Sequence, residues 1–141
     1  MRKDEINLHD RVSIKNTNYE VIGIDSYSLT NYLNNKKQWT SYTLKSKKSK
    51  LWLVLGVNDK PLLWRMTSPK SIKSVKEFHF DFEFSGIANI EFRGDKGFST
   101  PKSEIVFLKK GNKYFVIEKF LGDIFCFLGE PMAHPLKITK S

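Results

Sequence analysis

Between Glu77 and Phe84 the chain alternates strictly: Phe78, Phe80, Phe82 and Phe84 fall on one side, and Glu77, His79, Asp81 and Glu83 on the other. A period of two is the pattern of a β-strand with one buried and one wet face. Ala88, Ile90 and Phe92 then alternate with Asn89, Glu91 and Arg93, and Ser85-Gly86 between the two runs predicts a hairpin turn.

The same pattern recurs along the chain, punctuated by turn residues. Arg11 to Lys15 is followed by Asn16-Thr17-Asn18 and then by Tyr19 to Tyr27. Gln38 to Ser46 and Lys50 to Val57 flank Lys47-Lys48-Ser49, and Asn58-Asp59 leads through Pro61 into Leu62 to Met66. Ile105 to Lys109 and Lys113 to Phe120 flank Lys110-Gly111-Asn112, and Leu121-Gly122-Asp123 turns into Ile124 to Leu128. Leu51-Trp52-Leu53-Val54-Leu55 is apolar on both faces, which predicts a central strand covered on both sides. No sustained helical stripe appears; Ser26 to Lys36 and Ser71 to Val75 have room for one helical turn each.

These elements predict an all-β fold of about ten short antiparallel strands with little helix, arranged as a sandwich or a partly open barrel. The 141 residues fit a single domain, residues 1–141. A seam at Thr67-Ser68-Pro69-Lys70-Ser71 suggests a weak pseudo-repeat, two similar β-lobes over residues 1–68 and 69–141.

Charge changes this picture by concentrating it. Lys36 to Lys76 holds eleven basic residues against one acid, Asp59, together with all three tryptophans; the rest of the chain holds 13 basic residues against 14 acids. Basic charge beside aromatics suggests a face for an anionic partner, with Lys45, Lys47, Lys48 and Lys50 at an expected hairpin tip between two strands and Trp39 and Trp64 as aromatic partners. Aromatic stacking contributes about 1–3 kcal/mol per base in single-strand binders, and lysines add salt-dependent phosphate attraction. The plainer alternative is a solvated lysine face over core tryptophans, and Trp52, inside its apolar run, is expected in the core.

Catalytic chemistry finds little support. Neither a Gly-x-Ser-x-Gly elbow nor a phosphate-cradling glycine loop occurs. His9, His79 and His134 lack metal-like partners at i+2 or i+4, although His79 sits among Glu77, Asp81 and Glu83. The lone Cys126 lies between Phe125 and Phe127 and reads as a small buried apolar residue. Arg93-Gly94-Asp95 reads as a turn. Glu118, interrupting Val116-Ile117-Glu118-Lys119-Phe120, is expected to be partly buried, paired with a lysine or arginine or else raised in pKa, the ion pair being favoured.

The order of landmarks resembles the bacterial domain of unknown function 4178. The resemblance is carried by Asp10-Arg11-Val12, Tyr19-Glu20-Val21-Ile22-Gly23, Trp39-Thr40-Ser41-Tyr42-Thr43-Leu44 and Trp52-Leu53. In the second half it is carried by Gly86-Ile87-Ala88, Gly97 and the stretch from Tyr114 through Ile117-Glu118 to Gly129-Glu130. It implies a β-rich bacterial domain, sometimes found beside envelope-stress proteins, with no established activity and no catalytic residue to carry over. Where such domains commonly have an acid between the Trp and the Tyr, this chain has Ser41.

The expectation is therefore a non-enzymatic β-module without cofactor, binding a protein or anionic surface through a basic edge. Nucleic-acid binding through the same lysines with Trp39 or Trp64 is the alternative, and an enzyme acting on a small anionic substrate a third. The charged first residues and the lack of an apolar run of signal-peptide or membrane-spanning length lead to the expectation of a cytoplasmic location with no transmembrane segment.

Overall fold

In the computed structural model, which describes residues 6–30, 34–58, 60–67, 80–94, 102–132 and 137–140, the described residues form ten strands and no helix. The strands are β1 (Arg11–Ile14), β2 (Thr17–Thr30), β3 (Lys36–Lys45), β4 (Lys50–Leu55), β5 (Leu62–Thr67), β6 (Asp81–Gly94), β7 (Lys102–Lys110), β8 (Lys113–Phe120), β9 (Asp123–Pro131) and β10 (Lys137–Thr139). All pairings are antiparallel, in the order β10-β1-β2-β3-β4-β5-β9-β8-β7-β6, and β6 returns to pair with β2.

That last pairing closes an eight-stranded barrel, β2 to β9, from which β1 and β10 extend along the first part of β2. The expected sandwich or partly open barrel is thus a closed one. Closure satisfies the backbone groups that an open sheet leaves along its edges. The two halves of the chain supply one four-stranded meander each, β2 to β5 and β6 to β9, joined through β2–β6 and β5–β9. One interior receives side chains from both, including Leu29, Trp39, Val54 and Trp64 from the first and Ala88, Ile105, Phe107 and Tyr114 from the second. The two halves contribute to one shared core.

β4 bears out its two-faced apolar pattern. Val54 and Trp52 belong to the barrel interior, whereas Leu51 and Leu53 are buried in an outer cluster with Val12, Tyr19, Val21 and Leu44. β1, β10 and the residues before β1 cover that outer face. Asp10 anchors the cover: its buried carboxylate accepts the Asn7 backbone N–H at 2.8 Å and pairs with Lys140 at 3.0 Å. A third cluster lies outside β8 and β9, where Cys126 and Phe115 are buried against Phe80 and Leu108.

The predicted Glu77–Phe92 hairpin is corrected. Ser85-Gly86 lies inside one continuous strand, β6, and Gly86 serves close approach instead of a turn. A Cβ there would meet the Leu29 side chain at 2.7 Å and the Thr30 carbonyl at 2.9 Å. A bulge between Phe82 and Phe84 also shifts the strand's facing, so the phenylalanines do not share one side. Phe84 packs on the barrel core, Phe80 on the outer cluster, and Phe82 is 65% exposed. The helical turn considered at Ser26 to Lys36 is replaced as far as Thr30 by β2. The seam at Ser68–Ser71, the turn at Ser71 to Val75, and Gly97 lie outside the described residues.

Candidate functional site

Registers give the barrel two distinct ends. At the upper end, where β3 starts and β7 finishes, Lys37 sits 5.8 Å from the Phe84 and Phe107 ring centres and Lys109 sits 5.5 Å from that of Tyr114. Below them the interior is filled with aromatic packing: Trp39 stacks on Tyr27 at 4.8 Å and meets Phe107 edge-on at 5.1 Å. Trp64 contacts Phe107 and Phe127, both at 6.0 Å, and Trp52 meets Phe127 edge-on at 5.3 Å. Pairs of this kind add about 0.5–1.5 kcal/mol each beyond area burial. Gly129 makes room for the Trp64 indole, since a Cβ there would lie 2.4 Å from the ring.

At the lower end, where β6 and β8 finish and β7 and β9 start, the packing gives way to a cavity of about 260 Å³. Asp25 and Tyr27 enter it from β2, Ser103 from β7 and Glu118 from β8. Its apolar walls are Ile90 and Phe92 from β6, Phe120 from β8, and Phe125 and Phe127 from β9. At the same end Leu121 (87% exposed) lies in the β8–β9 turn, and Ile124 and Phe125 of β9 are also exposed. Leu121 has φ 50°, a left-handed conformation that a glycine or asparagine adopts at lower cost.

The chamber's electrostatics follow from two half-buried acids without a cation among the described residues. Burial, and then the Glu118 charge, push Asp25 up to about 7. Glu118 is itself raised by burial, although the nearby Ser103 and Tyr27 hydroxyls favour its ionised form. Ser103 Oγ nonetheless reaches no hydrogen-bond geometry with any partner, and the residue is only 2% exposed. Tyr27 is pushed well above the usual phenol range, first by burial and then by the charges of Glu118 and Asp25. The ion pair expected for Glu118 is absent among the described residues, as Lys119 alternates to the outer face; the raised pKa is what burial leaves. Asp25, pushed up to about 7, stays partly protonated near neutral pH.

The lysines are placed together elsewhere at the same end. Lys45 ends β3, Lys50 opens β4 directly opposite it, and Lys47 and Lys48 occupy the exposed connection between them. The connection is ordered by Ser46 and Ser49: the Ser46 N–H donates to the Ser49 carbonyl at 2.9 Å, and the Ser49 N–H donates to Ser46 Oγ at 3.1 Å. Trp39 and Trp64 do not join them. The structure places both indoles inside the barrel, 3% and 6% exposed, because each lies on the inward face of its strand. They present no stacking platform beside the lysines, and their Nε1 atoms are buried without a partner.

The remaining sequence-predicted groups are dispersed. His9 pairs with Glu20 at 3.0 Å in the open, while His79, His134 and Asp95 lie outside the described residues. Burial pushes the Cys126 thiol up, in keeping with an inert core residue. No cluster of three or more His, Cys, Asp or Glu side chains suited to a metal ion occurs among the described residues. No helix among them is long and apolar enough to cross a membrane.

The family described as a domain of unknown function, DUF4178, matches residues 7–134, nearly the whole chain. The chain belongs to the DUF4178 family. No curated protein and no solved structure matches it. The family brings no assigned site, so the DUF4178 barrel's chemistry rests on its own residues.

Of the chamber, sequence reasoning found Glu118 and missed Asp25. Simple alternation puts Asp25 on the same face as Tyr19, Val21 and Tyr27. A bulge between Val21 and Gly23 breaks that parity, sending Tyr19, Val21 and Ile24 outward and Asp25, Tyr27 and Leu29 inward. The signal that singled out Glu118 is weaker here, since Asp25 is followed by Ser26 and β2 also carries the exposed Glu20.

Proposed function

We propose that this DUF4178 chain is a non-enzymatic binding module whose lower barrel chamber holds a small ligand. The observation that carries the reading is the gathering of half-buried Asp25 and Glu118 with buried Ser103 around a cavity in which no described residue supplies a counter-charge. Burying acids without a cation destabilises a fold, and well-packed apolar residues in their place would be more stable. A ligand that satisfies these groups offsets that cost. Eight-stranded barrels are of a size to be filled by side chains or to hold one small ligand, and this interior does the first above and leaves room for the second below.

The sign of the chamber argues against the small anionic substrate considered from sequence, which would meet two carboxylates. A thermal-shift screen of small molecules tests the reading. A ligand at a hundred times its Kd adds about 2.7 kcal/mol of stability, so binders should raise the Tm of the wild type by several degrees. Ser103→Leu, which fills the cavity, should abolish those shifts. A screen in which no compound distinguishes the wild type from the filled variant would falsify the reading.

A second reading keeps the expected basic edge as a docking point for an anionic surface. It is favoured by Lys45 and Lys50 standing directly opposite each other, an unfavourable like-charge pair that an external anion would relieve. With both indoles inside the barrel, nucleic-acid binding through this edge has phosphate attraction without base stacking to draw on.

A further inference from the structure

We propose that the lower chamber is a site for a small organic ammonium ion, held between Asp25 and Glu118 in a half-open cavity lined by phenylalanines. This rests on the reading of the chamber as a ligand site and specifies the ligand's chemical class. The two acids belong to β2 and β8, which are separated in the barrel by β6 and β7, so they meet across the interior instead of along one strand. Each is half-buried, and no described cation pairs with either. Ser103 Oγ, buried and without a hydrogen-bond partner, lines the same cavity. One hydroxyl and two carboxylates match the N–H donors of an alkylammonium ion.

The walls select among cations. Phe92, Phe120, Phe125 and Phe127 line the cavity, and aromatic rings attract a cation while their carbon surface suits methylene groups. A hard divalent metal needs about six oxygen ligands or retained water, and phenylalanine supplies none. A neutral ligand would leave both acids without a counter-charge, and an anion would be repelled. The volume, about 260 Å³, lies just under the range of about 300–1,000 Å³ usual for drug-sized ligands, which sets the guest as a small amine. Phe125, a lining residue that is 37% exposed, gives the cavity an apolar margin open to solvent.

Binding should be coupled to protons. The groups that titrate in the chamber are Asp25, Tyr27 and Glu118; β6, β7 and β9 contribute only uncharged side chains, and Ser41 stands opposite Asp25 on β3. A bound cation favours ionised Asp25, which in the empty chamber titrates at about 7. Affinity should therefore rise about tenfold per pH unit below that value and level off above it.

Calorimetric titration of the full chain at pH 6 and pH 8 tests this, with butylamine and propylamine as probes. Butan-1-ol, butyrate, and magnesium and calcium chlorides serve as controls. The amines should bind saturably, more tightly at pH 8 and with proton release at pH 6. Asp25→Asn and Glu118→Gln, neutral and nearly isosteric, should retain the fold by circular dichroism and weaken binding at least tenfold. Equal binding of butanol, or binding of the metals alone, overturns the ammonium assignment while leaving the chamber as a ligand site. Absence of binding by every probe, where the thermal screen also finds none, overturns both.

Discussion

Asp25 shows how one side chain links packing to pH. In the unfolded chain an aspartate ionises near 3.9, whereas in the barrel burial and Glu118 push Asp25 up to about 7. Between those values the native state holds the proton more tightly, so raising pH lowers stability. The native advantage is complete below the unfolded value, is lost as pH climbs towards 7, and is flat above it. Asp25→Asn removes this dependence. We expect the variant to match the wild type at pH 4 and to exceed it at pH 8 by about 2 kcal/mol, discounted from about 1.4 kcal/mol per pKa unit for partial solvent access. Urea denaturation at the two pH values measures the gap; a gap that stays constant would rule out a titrating Asp25. Glu118 acts in the same direction, and its visibility in the sequence came from its place among apolar neighbours, which no bulge disturbs in β8.

At the scale of elements, strand propensity and strand facing have different origins. Alternation from Asp81 to Arg93 correctly indicated extended backbone, but Ser85-Gly86 was ambiguous, because glycine serves both turns and close approaches. β6 uses it for the second purpose, against Leu29 and the Thr30 carbonyl of β2. Gly86→Ala should therefore destabilise the protein by about 1–3 kcal/mol through overpacking, seen as a lower denaturant midpoint. A turn glycine away from neighbouring strands would give a much smaller loss, which is the result that would contradict this account. The bulges at Val21/Gly23 and Phe82/Phe84 each sit in a 14-residue strand that leaves one partner for another or bends around the barrel. They decide which residues face inward, and nothing in the local composition marks them.

For the whole molecule, closure separates two features that looked continuous along the chain. The basic segment and the tryptophans share a stretch of sequence, yet Lys45, Lys47, Lys48 and Lys50 project from a hairpin tip while Trp39 and Trp64 lie in the barrel. If the tip docks on anionic surfaces, the protein should sediment with anionic vesicles and not with neutral ones, in a salt-sensitive manner. Each lysine close to the surface contributes about 1 kcal/mol. Replacing the four lysines by glutamate should abolish this without altering amine binding in the chamber. Undiminished sedimentation of that variant would remove the tip from the account.

By itself the sequence determined the β-class, most strand positions, the two-faced burial of β4, the turn at Lys110-Gly111-Asn112 and the isolation of Glu118 among apolar residues. These depend on the period of side chains over a few positions, which is a local property. Only the tertiary structure decided that the sheet closes, that the tryptophans face inward, and that Asp25 and Glu118 share a chamber. Those facts depend on the β2–β6 pairing and on bulges that reverse facing within a strand. A single inserted residue flips every side chain after it, so the chamber's make-up was fixed by register across the barrel and not by pattern along the chain.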